Sequence, residues 1–296
     1  MPTDRTTDFL RELLVRQLTT WLPAALQRSR RATVALAWTG ADGGGAEAAL
    51  RVVAAHADQV RGRRVTVLVL ADGASDLPTR LGPVEAELPA EVAVHLLPGA
   101  PQQLPVAVKA AGAAGSPLFT FLDLPDAVPP PLLTAAANGR AGEVLLHAGN
   151  GARDALGAAG FPLVAEVTPV FGAHGAGGVI AFGSRSDRSL EAVRDALWAV
   201  GADLGVRYLD PADPQAAPVD VAGDPDPGPL AGELLAELRR GGPRPVTELR
   251  RHALTATVYR AADANRALAH LLDAGDVRRD RESGRLAGDE MITLAR

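Results

Sequence analysis

The stretch that most constrains the fold is a short apolar run that breaks into glycines. Thr33 to Trp38 has the composition of a buried strand, glycines follow at positions 40, 43, 44 and 45, and a helical pattern extends from Ala46 to Gln59. A strand, a glycine turn and a helix begin an open α/β sheet, and such a turn brings backbone N–H groups close to a ligand at the positive end of a helix dipole. A tight connection that binds nothing explains the glycines equally well.

The composition describes an ordinary globular protein and excludes several kinds of site. The chain has 296 residues, 47% of them hydrophobic and 22% charged, which suits one large and one small domain. It contains no cysteine, so disulfides, thiolate metal sites and a cysteine nucleophile are excluded, and no metal site is predicted. The net charge of −5 gives no sign of bulk nucleic-acid binding. Its start does not resemble a secretory signal and no apolar run reaches membrane-spanning length, so we expect a cytoplasmic protein.

Further apolar runs alternate with helical patterns and predict more parallel strands. They cover residues 65–70, 92–97, 117–122 and 143–147, and the first of them lacks the polar alternation of a half-exposed strand. Asp72 follows the second strand, where a carboxylate can accept hydrogen bonds from both hydroxyls of a ribose. The alternative is a turn aspartate before Gly73.

Two side chains with acid–base chemistry end later strands. Asp123 follows the fourth strand and His147 ends the fifth. Open sheets bind ligands at the carboxyl ends of their strands, so Asp123 is a candidate general base or substrate-positioning group and His147 a candidate proton shuttle. A loop cap and a structural histidine are the alternatives.

The last two strand-like runs differ from the first five. Residues 161–170 and 179–183 are joined by a glycine-rich loop with no room for a helix, which predicts an antiparallel hairpin. Five strands and this hairpin give seven, an arrangement similar to the class I methyltransferase fold. Ala159-Gly160-Phe161 also resembles the Ala-Gly-Phe often found before the sixth strand of such enzymes. We therefore expect an α/β fold with a seven-stranded, mostly parallel Rossmann-like sheet.

The chain divides into four predicted segments. An amphipathic helix fills residues 1–30 and packs over the sheet or against a partner chain, and the sheet domain spans 31–209. Residues 210–229 are rich in proline and aspartate and mark a boundary. Three helices and a hairpin in residues 230–296 predict a winged helix-turn-helix.

A winged helix suggests DNA binding, but the charge of this one is nearly balanced. The candidate contacts are Tyr259, Arg260, Asn265 and Arg266 on the recognition helix and Arg278, Arg279, Arg281 and Arg285 on the wing. Weak net charge argues against strong binding to phosphates, so nucleic acid is not the favoured partner. Packing of the tail on the body, or formation of a homodimer through it, is the alternative.

The order of these domains resembles the bacterial three-Cys-motif partner proteins. Residues 38–42, Trp-Thr-Gly-Ala-Asp, stand where that family has a Phe-Ala-Gly-Pro-Gly-like loop. Residues 121–125, Phe-Leu-Asp-Leu-Pro, resemble its fourth-strand motif, and residues 179–198 resemble its last strand and the following helix. The resemblance covers most of the chain with loose motifs, and it implies a fold more firmly than an activity.

The methyltransferase-like fold implies S-adenosylmethionine as cofactor and a small molecule as acceptor. Two departures from the usual pattern favour a degenerate, non-catalytic descendant that binds partners through its winged helix: Leu36 stands where an acidic residue usually closes the first strand, and Asp42 replaces a loop glycine. The implied cofactor residues are Gly40, Asp42 and Gly43 in the loop, Asp72 on the ribose, and Pro98 and Gly99 beside the adenine, with Asp123 and His147 facing the reaction.

Two other activities receive less support from the sequence. No Asn-Pro-Pro-Tyr-like motif follows the fourth strand, so methylation of a flipped base is not predicted. Asp72 would also suit a nicotinamide-dependent oxidoreductase, but the hairpin replaces the sixth strand–helix unit that such a domain has.

The role of Asp72 can be tested directly. We expect Asp72→Ala to weaken S-adenosylmethionine binding tenfold or more, because a lost hydrogen bond to a charged group costs about 1.5–3 kcal/mol. Isothermal titration calorimetry measures the change. Unchanged affinity in the variant would remove Asp72 from the site.

Overall fold

The computed structural model describes residues 2–39, 44–72, 76–126, 128–172, 175–213, 215, 217–223, 225–281 and 284–295. The helices of these residues are α1 (Pro2–Arg28), α2 (Gly44–Ala55), α3 (Ala57–Val60), α4 (Leu77–Glu85), α5 (Leu104–Ala110), α6 (Pro130–Ala137), α7 (Ala152–Ala158), α8 (Asp187–Leu204), α9 (Gly228–Gly241), α10 (Val246–Ala256) and α11 (Ala261–Asp273). Over the same described ranges, none of the helices is long and apolar enough to cross a membrane.

The strands build one large and one small sheet. They are β1 (Arg31–Thr39), β2 (Arg64–Asp72), β3 (Val92–Pro98), β4 (Pro117–Asp123), β5 (Ala141–Ala148), β6 (Leu163–Val170), β7 (Val179–Ser184), β8 (Arg207–Leu209), β9 (Val219–Asp220), β10 (Arg244–Pro245), β11 (Val277–Arg279) and β12 (Met291–Leu294).

The large sheet confirms an α/β protein. Its strand order is β3-β2-β1-β4-β5-β7-β6-β8-β9. Strands β1 to β5 pair in parallel, whereas β7 runs antiparallel to both of its neighbours, β5 and β6. The sixth and seventh strands therefore form the expected antiparallel pair.

The prediction of seven strands was wrong, because the described residues place nine in this sheet. Residues 168–170 of β6 pair with β8, and β8 pairs with β9, which lies inside the proline- and aspartate-rich stretch 210–229. Strands of three and two residues are too short to show a period in the sequence. An edge position also tolerates nearby proline, since the outer side of the strand needs no N–H donor.

Helices cover both faces of the sheet. Along β1, Leu36 and Trp38 belong to the core under α1, α2, α4 and α8, whereas Ala35 and Ala37 belong to the core under α5, α6 and α7. A strand buried on both faces needs apolar side chains at every position, which explains the continuous runs in the sequence.

The N-terminal helix packs on the sheet, as one of the two alternatives predicted. Leu13, Leu14 and Leu18 of α1 are almost fully buried. The ring centroid of Trp21 lies 5.5 Å from that of Phe119 on β4. The helix therefore completes the core of this chain.

The C-terminal residues pack against the sheet domain through hydrogen bonds to carbonyls at the end of α10 and just after it. The Trp198 indole N–H donates to the Val258 carbonyl at 2.8 Å, and the Arg194 guanidinium donates to the Leu254 carbonyl at 2.7 Å. Arg153 adds a 2.6 Å bond to the Thr255 carbonyl. Carbonyls at the end of a helix lack partners within it and carry its negative partial charge, so cationic donors stabilise them.

Helices α8 and α10 begin in different ways. The Ser186 side chain accepts from the Ser189 N–H and caps α8. Thr247 lies inside α10 and donates to the Gly288 carbonyl at 2.7 Å. The helix begins earlier, because Pro245 supplies its extended N-cap.

Glu143 is a buried carboxyl with incomplete hydrogen bonding. It lies on β5, accepts from the Ser189 hydroxyl at 2.6 Å through Oε1, and has a buried Oε2 without a partner among the described residues. Burial raises the pKa of Glu143, which the Ser189 hydrogen bond only partly offsets.

The raised pKa predicts a specific pH dependence of stability. The pKa of Glu143 in the folded protein lies above the ordinary value of 4.5. The contribution of its protonated form to the free energy of unfolding is therefore fully present below pH 4.5 and is lost as the pH rises through the folded pKa. Glu143→Gln cannot ionise, so the unfolding free energy of the variant minus that of the wild type should increase with pH, by at most about 1.4 kcal/mol per pH unit.

Urea unfolding from pH 5 to neutral measures this difference. Glu191→Gln, on the exposed side of α8, is the control and should give a constant difference. A constant difference for Glu143→Gln as well would contradict the assignment.

Candidate active site

The structure brings Asp123 and His147 together at the carboxyl edge of the sheet. The two residues are register partners on the adjacent strands β4 and β5, and Asp123 Oδ1 lies 2.7 Å from His147 Nδ1. Trp38 of β1 is the register partner of Asp123 on the other side. Strands β1 and β4 are where the strand order reverses, and open α/β sheets bind ligands outside the carboxyl ends at this point.

The Asp123–His147 pair has a fixed polarity. A carboxylate only accepts hydrogen bonds, so Nδ1 carries the proton and the neutral ring keeps its lone pair on Nε2. The His147 side chain is 9% exposed and that of Asp123 30%. The Leu124 N–H donates to the His147 carbonyl at 2.9 Å and holds the ends of the two strands together. The arrangement is that of a base oriented by a carboxylate.

Gly178 packs directly against the Nε2 side of the histidine ring. A Cβ atom added there would clash with His147 Nε2 and lie 2.9 Å from the Ala148 carbonyl. The segment is fixed nearby, since the Gly177 N–H donates to the Pro169 carbonyl at 2.8 Å. The glycine-rich connection between β6 and β7 therefore lies over the base, and Gly178 is needed for space.

Trp38 lies beside the Asp123–His147 pair, and nothing in the sequence marks its indole N–H as a donor in the site. Its side chain is 4% exposed and its indole N–H has no acceptor in the described part of the chain. Trp38 lies on the same sheet face as Phe121 and Leu145, and strand alternation continues that face to Asp123 and His147. An unpaired buried donor costs about 1–3 kcal/mol, and here it lies next to the site.

The structure describes only some of the predicted cofactor residues. Gly40, Asp42 and Gly43 lie outside the described residues. Asp72 ends β2 opposite Thr39, and Pro98 ends β3 opposite Ala71, so their backbones lie at the carboxyl edge.

Gly99 continues this edge after β3. It has φ 151°, in the region that favours glycine, and a Cβ there would lie 2.7 Å from the Gln103 side chain.

Leu36 stands where methyltransferases usually have an acidic residue. Its side chain is fully buried in the core.

The predicted recognition-helix residues mostly contact the protein itself. Tyr259 is 3% exposed, and the Arg260 guanidinium lies 3.8 Å above the ring of Trp198. The Asp263 carboxylate accepts from Arg260 and Arg266, at 3.0 and 2.8 Å. Aromatic and cationic side chains that suit DNA also suit an intramolecular cation–π contact, which the sequence could not distinguish.

Some of the other predicted DNA contacts pair with side chains of the protein itself, and others are exposed. Asn265 accepts from Arg250 at 2.7 Å, Arg279 pairs with the buried Glu290, and Arg281 pairs with Asp289 at 3.0 Å. Arg278 and Arg285 are exposed. Within the described ranges, no group of three or more His, Asp or Glu side chains is placed to hold a metal ion.

The close approach of Gly178 predicts a steric effect on the site. We expect Gly178→Ala to destabilise the protein by about 1–3 kcal/mol, because the added methyl group must displace the His147 ring or the Ala148 carbonyl. Chemical denaturation measures the change. Gly157→Ala in α7 is the control, since no atom lies within 4 Å of its added Cβ and alanine favours a helix. Equal stabilities for the two variants would contradict the close packing.

Neither a comparison with models of known protein families nor a search of curated proteins finds a match to this chain. The chemistry of the site residues themselves is therefore the basis for a function.

Proposed function

We propose that the protein is an S-adenosylmethionine-dependent methyltransferase that acts on a small molecule. The observation that carries the proposal is the Asp123–His147 pair at the carboxyl edge of a sheet ordered β3-β2-β1-β4-β5-β7-β6. This order, with β7 as the antiparallel strand, is similar to that of class I methyltransferases. Strands β8 and β9 extend the sheet beyond β6 and leave this order unchanged.

The cofactor is proposed to lie across the ends of β1, β2 and β3. The glycine loop with Gly40, Asp42 and Gly43 would approach the methionine part, and Asp72 would accept from the ribose hydroxyls. Pro98 and Gly99 would lie beside the adenine. Trp38 offers an indole N–H donor that has no acceptor in the described chain, and a ligand oxygen at the β1–β4 crevice would satisfy it.

The acceptor is proposed to react in front of the histidine. S-adenosylmethionine, held at the ends of β1, β2 and β3, would supply the methyl group to an oxygen or nitrogen of the acceptor, and the electron pair of the broken carbon–sulfur bond would remain on sulfur. The proton of the acceptor would move to His147 Nε2, which requires the Gly178 segment to shift away from that atom, and Asp123 would stabilise the resulting imidazolium through Nδ1. Alignment of the nucleophile with the methyl group supplies much of the remaining rate.

Calorimetric titration with S-adenosylmethionine and S-adenosylhomocysteine tests the cofactor half of this proposal. We expect binding at micromolar concentrations for the wild type and for His147→Asn, because His147 is assigned to the acceptor. Absence of binding at millimolar concentrations would refute the proposal.

The acceptor half is tested by methyl transfer from labelled S-adenosylmethionine to a library of small hydroxyl and amine compounds. His147→Asn should lower any transfer by a factor of about 100 or more, the usual size of general-base catalysis. The control is His56→Asn, since His56 lies between α2 and α3 and contacts the Val52 carbonyl, away from the site. Equal transfer by the two variants would exclude His147 as the base.

A second candidate is a methyltransferase-like protein without catalysis that binds a macromolecular partner through its C-terminal module. The order α9, β10, α10, α11, β11, β12, with the sheet order β10-β12-β11, supports assignment of this module as a winged helix. The burial of Leu36 favours loss of the cofactor site. The packing of Tyr259 and Arg260 against Trp198 disfavours DNA readout by α11, so this candidate points to a protein partner or a second copy of the chain.

A further inference from the structure

The amino-terminal ends of β1, β2 and β3 line a polar groove at the edge of the sheet opposite to Asp123 and His147. The groove has a volume of about 560 Å³. Cavities that hold small molecules have volumes of roughly 300–1,000 Å³. The groove is therefore large enough for a small ligand, and it lies outside the candidate active site.

Two arginines, Arg31 and Arg64, line this groove. Arg31 and Arg64 are register partners on the parallel strands β1 and β2, and both side chains line the groove. Neither guanidinium has a carboxylate or carbonyl partner among the described residues. Both side chains are exposed, so solvent screens part of the repulsion between these like charges on neighbouring strands, and a bound anion would offset the remainder.

Further donors lie beside the arginines. Thr33 and Thr66 are also register partners, two residues further along the same strands, so they share the sheet face of Arg31 and Arg64. His95 of β3 lines the groove from the next strand. Two guanidinium groups, two hydroxyls and an imidazole make a set of groups suited to a multiply charged oxyanion.

The local charge is positive although the chain carries a net charge of −5. Arg63 also lines the groove, and its guanidinium donates to the carbonyls of Leu26 and Gln59, so its charge is not neutralised by an acid. Glu91 is the acid among the lining residues. Its Oε1 accepts from the Gly62 N–H, and this backbone hydrogen bond lowers the pKa of Glu91.

We propose that this groove binds a phosphate-bearing small molecule. The guanidinium forks of Arg31 and Arg64 donate to the phosphate oxygens, since arginine matches the geometry of phosphate and donates two hydrogen bonds at once. Thr33 and Thr66 donate from the floor of the groove, and His95 contacts the outer part of the ligand. The proposal does not depend on methyl transfer, because it uses none of the residues assigned to that reaction.

Calorimetric titration of the full chain with inorganic pyrophosphate at low ionic strength tests the proposal. We expect saturable binding with one ligand per chain, weakened about tenfold or more by Arg31→Gln and by Arg64→Gln. Arg61→Gln is the matched control, because Arg61 lies near the same end of the sheet but outside the lining and pairs with Asp58. It should change the affinity less than twofold.

Stability separates loss of binding from loss of folding. Arg31→Gln and Arg64→Gln should unfold at the same or a higher urea concentration than the wild type without ligand, because each removes a like-charge contact. Pyrophosphate should raise the unfolding midpoint of the wild type and of Arg61→Gln, but not that of the groove variants.

Three results would overturn the proposal. The first is absence of pyrophosphate binding at millimolar concentrations, and the second is equal weakening by the groove variants and Arg61→Gln. The third is binding of a single-stranded oligonucleotide without binding of pyrophosphate, which would make the groove a surface for a polyanion.

Discussion

The pairing of β1 with β4 is the constraint on which the rest of the structure depends. This pairing joins the β3-β2-β1 half of the sheet to the β4-β5-β7-β6 half, and it puts Trp38 beside Asp123. Side chains alternate between the two faces of a strand, so a slip of one residue between β1 and β4 would place the apolar side chains of β1 against the opposite core and move Asp123 away from Trp38. The tight burial of Leu36 and Phe119 on one face and Ala35 on the other makes such a slip costly.

The contact between the sheet domain and the C-terminal residues determines which C-terminal side chains remain available to a partner. Trp198 makes two of these contacts. Its indole N–H donates to the Val258 carbonyl, and its ring lies under the Arg260 guanidinium. Arg251 adds a two-bond ion pair with Asp187 at the start of α8, at 2.7 and 2.8 Å. The N-terminal end of α11 is thus held against the body, and the module behaves as an extension of the larger core.

Much of the fold was predictable from the sequence, because strands buried on both faces must be apolar throughout. The first five strands were predicted as apolar runs and the next two as an antiparallel hairpin, whereas β8 and β9 are too short to leave a pattern. Asp123 and His147 were each predicted as site residues, but their hydrogen bond was not, since it depends on the register of two strands 24 residues apart. The roles of Gly178 and Trp38 were missed for a related reason. The lack of space beside Gly178 and the lack of an acceptor for the Trp38 indole N–H arise only when the chain is packed.

The buried Arg194 has a consequence for motion. Burial lowers its pKa to about 10, and its Nε and Nη1 atoms have no partner among the described residues, although its Nη2 binds the Leu254 carbonyl. Water would satisfy both free donors if α8 and α10 separated, so hydration of one side chain offsets part of the cost of opening this contact. We therefore expect separation at α10 to precede opening of the central strands, so that the amides of α10 exchange with solvent hydrogen earlier than those of β1 and β4.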